Sequence, residues 1–343
     1  MRHLLNTLYV TSEDVYLTLE GENVVAKRGN ETLSRYPLHT LQNIVTFSYS
    51  GASSALMGKC AEQGIGLSFV TPRGKFLART DGASVGNVLL RRQQYRIADD
   101  EVSSCFIARA MIVGKIYNAR WSLERTLRDH ALRVAEAKIR NAIDILKRQL
   151  SAAAETVSLD SLRGVEGVAA AAYFGVFDQM ILRDHEAFFF VERNRRPPLD
   201  RVNAMLSFAY SLLTNECASA LAAAGLDAYV GFLHQDRPGR TSLALDLMEE
   251  LRPIMADRFV LTAINNRIVT PTDFIVEETG AVRLKEEGRK RFLAAWQERK
   301  KETIVHPFLQ EKLAWGLVPH MQSMLLARHL RGDLDAYPPF LWK

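Results

Sequence analysis

The apolar periodicity of the chain changes near residue 85, and this change constrains the fold more than any single motif. Residues 7–12, 15–19, 23–27, 43–49 and 66–70 alternate apolar with polar side chains and are rich in β-branched and aromatic types, the pattern of half-buried strands. Gly21-Glu-Asn, Gly29-Asn and Pro72-Arg-Gly supply turn chemistry between several of them. One helix is expected inside this series, over 53–63, stopped by Gly64. After Asp81-Gly-Ala-Ser-Val-Gly-Asn, which reads as a linker, apolar residues recur at spacings of three and four. Helices are expected over 91–98, 102–117, 123–150, 199–224, 242–255, 286–295 and 304–331. At roughly 100–200 residues per domain, 343 residues form about two domains. The expected architecture is therefore α+β: a small N-terminal β-rich domain, 1–85, followed by a larger, mostly α-helical domain, 86–343.

A chain that is 48% hydrophobic can bury a sizeable core, which excludes a disordered tail protein. Cys60, Cys105 and Cys217 lie far apart with no Cys-x-x-Cys pair, against a thiolate zinc site or a disulfide framework. The start has no uninterrupted apolar h-region and no stretch is long enough to span a bilayer. A soluble, unprocessed cytoplasmic protein is expected. The net charge of +5 is unevenly spread: residues 91–150 carry 13 basic against 7 acidic side chains, whereas 151–343 carry 23 against 25. A basic helical belt thus precedes the region that must hold any carboxylate site, which permits a polyanionic partner.

Three segments could carry chemistry. Glu166 is the only ionisable residue between Arg163 and Asp178, set among Gly and Ala that allow close approach. It reads either as a helix N-terminal carboxylate favoured by the macrodipole or as an acid held by a cation or metal. His234 follows Gly231-Phe-Leu and precedes the Pro238-Gly239 turn, after which Thr241 or Ser242 could cap a helix. On that helix Asp246 and Glu249 share a face and interrupt the stripe of Leu243, Leu247 and Leu251. They are either solvated helix charges, with Arg252 as an ion-pair partner, or a pair that needs a cation between them. Together Glu166, His234, Asp246 and Glu249 form a mixed imidazole and carboxylate set suited to Mn²⁺ or Mg²⁺ and to phosphodiester chemistry.

The third segment is basic. Arg193, Arg195, Arg196 and Arg201 surround a Pro-Pro turn ahead of a helix, an arrangement that suits phosphate contacts and equally a solvated loop. The candidate DNA contacts are Lys115, Arg120, Arg195, Arg196, Arg240 and Arg252. P-loop, Rossmann and zincin motifs are absent, as is Gly-x-Ser-x-Gly. The histidines at 39, 130, 185, 306, 320 and 329 have no metal-ligand spacing and are expected to be structural or surface residues.

With these motifs the chain resembles the CRISPR-associated adaptation integrases, the endonuclease-like proteins that capture new spacers. The resemblance runs through the β-rich start, Lys115-x-x-Asn118, Gly164-x-Glu166-Gly167, Asn194-Arg-Arg-Pro-Pro-Leu-Asp-x-x-Asn203-Ala, Gly231-Phe-Leu-His234 and Ser242-Leu-Ala-Leu-Asp246-Leu-Met-Glu249-Glu-Leu-Arg252-Pro. The opening residues 8–23 also look like the type I-C branch. The resemblance implies a divalent metal, Mn²⁺ or Mg²⁺, held by Glu166, His234 and the acid at 249, which is Asp in many relatives and Glu here. Whether Glu249 binds directly with Asp246 in support, or the reverse, stays open, with Glu249 favoured by its family position. It further implies attack of a 3′-hydroxyl on the leader–repeat junction, double-stranded DNA as partner, a homodimer formed through the β domain, and a hetero-hexamer with a small CRISPR adaptation partner protein. A stand-alone structure-selective nuclease acting on branched DNA would use the same residues, and an idle DNA-binding scaffold would not need them.

Overall fold

The computed structural model describes residues 7–12, 14–71, 76–80 and 87–343. The turn expected at 72–74 and all of the expected linker except Asn87 lie outside these residues. The chain divides into two compact units, residues 1–86 with 289–302, and residues 87–288 with 303–343.

In the first unit, β1 (Thr7–Val10), β2 (Tyr16–Glu20), β3 (Asn23–Arg28), β4 (Glu31–Pro37), β5 (Asn43–Thr46), α1 (Ser54–Gln63), β6 (Gly66–Val70) and β7 (Phe76–Thr80) follow in order. Strands β2, β3 and β4 form an antiparallel meander, while β1, β5 and β6 pair in parallel and β7 closes that sheet antiparallel to β6. Val10, Leu17, Val24, Ile44, Leu56 and Leu67 make the core between them, so alternation in the sequence becomes one buried face per strand. Helix α1 begins where Ser53 accepts from the Leu56 N–H at 3.2 Å and ends at Gly64, whose φ of 65° suits glycine. Two strands were not apparent in the sequence. Strand β4 is an edge strand with almost every side chain exposed, so it carries no apolar period to read.

The second unit is mostly helical, so the chain is an α+β protein with a β-rich N-terminal region and a helical remainder. It holds α2 (Val88–Asp99), α3 (Glu101–His130), α4 (Glu136–Glu155), α5 (Leu159–Phe174), α6 (Arg201–Ala223), α7 (Ser242–Leu251), a π-helical turn (Arg252–Asp257) and α8 (Arg258–Asn265). Two short hairpins, β8 (Phe274–Val276) with β9 (Val282–Leu284) and β10 (Thr303–Val305) with β11 (Lys312–Ala314), flank α9 (Glu286–Lys301), and α10 (Val318–Leu330) follows. Residues 289–302 of α9 belong to the first unit, where Gln297 donates to the Thr7 carbonyl at 3.0 Å and Arg289 to that of Thr11 at 2.9 Å.

Several expected boundaries move, each for a local reason. Helix α3 runs unbroken through the gap expected at 118–122, because Asn118 and Ser122 are polar yet buried. Asn118 donates 2.7 Å bonds to the carbonyls of Glu250 and Phe340 and accepts from the Trp342 N–H at 3.0 Å, so a polar residue fills a core position. The helix expected over 242–255 ends at 251, where Pro253 removes a donor and the backbone opens into the π turn. Residues 304–317 form a hairpin and a short 3₁₀ turn before helix begins at 318. Among the described residues, no helix is long and apolar enough to cross a membrane.

Candidate active site

The site is assembled around the start of α7. Asp246, wholly buried, points back from the first helical turns to the loop at 232–234. It accepts the N–H groups of Phe232 at 2.6 Å, Leu233 at 2.9 Å and His234 at 3.0 Å, and its Oδ1 meets His234 Nδ1 at 2.5 Å. A carboxylate that satisfies three backbone donors and one imidazole nitrogen fixes the loop, the ring orientation and the tautomer together. Nε2 is thereby left as the nitrogen with a lone pair to offer. Gly231 is required for this fit: a Cβ there would stand 2.7 Å from Asp246 Oδ2 and 2.9 Å from the Ser242 carbonyl carbon. The expected cap is not made. Thr241 occupies the N-cap position without a side-chain bond, and the Ser242 hydroxyl instead donates to the Gln235 carbonyl at 3.2 Å.

One turn further along α7, Glu249 meets a set of cations. Lys115 Nζ lies 2.6 Å from Glu249 Oε2, and Arg252 Nη2 lies 2.6 Å from Oε1. Burial opposes the charge on Glu249, but Arg252 and Lys115 outweigh it and hold its pKa at about 2. The same Lys115 ammonium also bonds Glu166 Oε1, so one buried lysine bridges two carboxylates from different helices. A cation between two acids, inferred from the sequence for Asp246 and Glu249, is thus found between Glu166 and Glu249, and it is a side chain. Gly114 permits the arrangement, because a Cβ there would meet Glu250 Cβ at 2.8 Å; its absence lets α3 and α7 cross closely.

Glu166 sits in the middle of α5, which starts at Leu159, so it is not the helix N-terminal carboxylate that the macrodipole would favour. Gly164 and Gly167 have open space where a Cβ would be, so they admit no close neighbour here. Arg163, one turn before Glu166, pairs with Asp160 at 2.6 Å and donates to the Leu233 carbonyl at 2.9 Å. That bond registers α5 against the loop carrying His234. No sequence signal distinguished Arg163 from any other helical arginine.

The expected DNA contacts divide into two groups. Arg252 is half-buried against Glu249, with its guanidinium 4.7 Å over the Tyr210 ring, and Lys115 is held between acids. Arg120 pairs with Glu124 at 3.5 Å and stands over Tyr117 and Trp121. Arg195 and Arg196 are exposed, and Arg240 is half-buried near them. Partial burial and the charges of Arg237, Arg195 and Arg196 lower the Arg240 pKa, which places four guanidinium groups within electrostatic reach of one another. Such mutual repulsion is relieved by an anion. Arg193 instead props the turn from within, donating to Asn203 Oδ1 at 2.6 Å and Ser207 Oγ at 3.0 Å.

The donor chemistry fits a hard or borderline divalent cation. Two carboxylates and an imidazole with its Nδ1 already engaged match Mn²⁺ or Mg²⁺, and the three cysteines are buried elsewhere as thiols. Among the described residues no three acidic, histidine or cysteine side chains converge closely enough to hold an ion as they stand. Between Glu166 and Glu249 the intervening group is the Lys115 ammonium, itself a cation of the sign such a position selects.

The family described as CRISPR associated protein Cas1 matches residues 8–298. A curated CRISPR-associated endonuclease Cas1 of Chlorobaculum tepidum is 48% identical over the full length of both chains. Among solved structures, a casposase bound to integration product superposes with a TM-score of 0.82 at 22% identity, covering 98% of this chain and 94% of that one. A Cas6-RT-Cas1–Cas2 complex gives the same score and identity over 100% of this chain and 36% of the larger one.

Proposed function

Because the chain belongs to the CRISPR-associated Cas1 family, we propose that it is a metal-dependent DNA integrase and endonuclease that inserts captured fragments into a CRISPR repeat array. The observation that carries this reading is that Glu166 and Glu249, from different helices, share one cationic position at Lys115, with His234, oriented by Asp246, within electrostatic reach of Glu249. Glu166, His234 Nε2 and Glu249 would hold Mn²⁺ or Mg²⁺. Bound there, a divalent ion polarises the phosphodiester and favours the ionised form of the attacking hydroxyl or water.

The chain's own residues account for the rest. Asp246 holds the His234 ring fixed in direction through Nδ1, and Arg252 keeps Glu249 charged in a buried setting. In strand transfer a fragment's 3′-oxygen forms a new bond to phosphorus as the bond to the displaced 3′-oxygen breaks, so one phosphodiester replaces another and no covalent enzyme intermediate is needed. Water in place of the hydroxyl turns the same step into hydrolysis. Arg195, Arg196 and Arg240, with Arg237, would meet the phosphates without reading bases. We further propose a homodimer through the β-rich region and a hetero-hexamer with a small adaptation partner, a reading in keeping with the Cas1–Cas2 complex of similar fold.

Two measurements check this. Purified chain, the partner protein, a short 3′-hydroxyl duplex and a plasmid carrying leader and repeat should yield joined product with Mn²⁺ and none with EDTA; joined product in EDTA would remove metal dependence. Charge-neutral substitution of Arg195 and Arg196 should lower the steepness of log affinity against log salt by roughly one unit per lost phosphate contact. An unchanged slope would put both side chains off the DNA.

A further inference from the structure

We propose that Lys115 is a built-in counter-cation which occupies the metal position of the resting site, so that a divalent ion must displace its ammonium to bind. The inference rests on the reading of Glu166, His234 and Glu249 as ligands. Three observations lead to it. Lys115 is 9% exposed and its ammonium touches both Glu166 and Glu249, the two carboxylates that would otherwise face each other across an empty gap. Two like charges brought together repel one another unless a cation lies between them, so the ammonium holds the two side chains together before any ion arrives. Beside it lies a small cavity lined also by Ala170, Tyr173, Arg252 and Asp257, so the lysine is not packed tightly on every side.

Competition follows directly, since the ammonium and the metal cannot hold the same oxygens at once. Lysine suits this task better than arginine, because its charge is compact and its stem flexible, whereas a guanidinium would lock the carboxylates in a bidentate fork.

The test is Mn²⁺ binding to EDTA-stripped full-length protein without DNA, followed by calorimetry and by thermal unfolding. Lys115→Met should bind Mn²⁺ about tenfold more tightly than the wild type, the worth of one buried charge-assisted contact removed from competition. It should also unfold at lower temperature without metal and regain more of that loss on adding Mn²⁺. Lys115→Arg keeps the positive charge, covers the case in which the methionine variant fails to fold, and should bind Mn²⁺ more weakly than wild type. Equal or weaker binding by Lys115→Met, or wild-type affinity in Lys115→Arg where the methionine variant does not fold, would overturn the proposal. Glu166→Gln separates the two readings: if it binds Mn²⁺ as the wild type does, the ligand assignment fails; if only it loses affinity, the assignment stands and the displacement idea falls.

Discussion

Glu166→Ala and His234→Ala are each expected to lower Mn²⁺-dependent strand transfer by about a thousandfold or more, roughly 4 kcal/mol of barrier, while leaving the fold intact. The size follows from the role. Loss of a group that only orients a ligand commonly costs 10–100-fold, and loss of the ligand itself should exceed that. The sparing of the fold follows from position: the Glu166 side chain is 28% exposed and that of His234 is 23% exposed. Removal of Glu166 leaves Lys115 still paired with Glu249, and removal of His234 leaves Asp246 its three backbone donors. Product yield at matched protein concentration gives the rate, and urea unfolding gives the control. Wild-type rates in either variant with an unshifted unfolding midpoint would detach that residue from the chemistry.

The second large effect concerns stability. Asp246→Ala should destabilise the protein by about 3–5 kcal/mol, because it strands three buried N–H groups and the imidazole contact at once. Asp246→Asn should cost less, since its amide oxygen can still accept from part of the loop. Activity should fall in both, through a loosened His234 rather than a lost ligand. A shift in unfolding free energy below about 1 kcal/mol for the alanine variant would mean that the loop at 232–234 is held by something other than this carboxylate. Glu249→Ala offers the contrast, because Glu249 takes no backbone N–H and its partners are Lys115 and Arg252.

The sequence carried the change from a β-rich to a helical region because periodicity reflects which side chains leave water, but a division at residue 85 does not show that residues 289–302 of α9 belong to the first unit. It also singled out the candidate site residues. Glu166, His234, Asp246 and Glu249 stand out as polar groups interrupting apolar or small-residue runs, and the structure joins His234 to Asp246 through one short loop and Glu249 to Glu166 through Lys115. Asp246 and Glu249 are three residues apart, so helical geometry alone puts them near one another. Their different roles were not legible, since both are acids on one helix and only the path of the loop at 231–234 determines which carboxylate meets backbone donors.

What lies between Glu166 and Glu249 was equally hidden. Lys115 reads locally as one member of a basic belt, and nothing in α3 says that its ammonium will be buried between two acids. That outcome depends on α3, α5 and α7 meeting, on the missing Cβ of Gly114, and on Arg163 fastening α5 to the histidine loop. Arg252 and Arg120 show the same limit, because an arginine's charge is evident in the chain while its partner is fixed only by packing. Local patterning, set by burial and hydrogen bonding along the backbone, determined the fold class and the residues capable of chemistry. The tertiary structure alone decided which of those charges face one another, because electrostatic interaction depends on separation in space and on exclusion of water, neither of which is a function of distance along the chain.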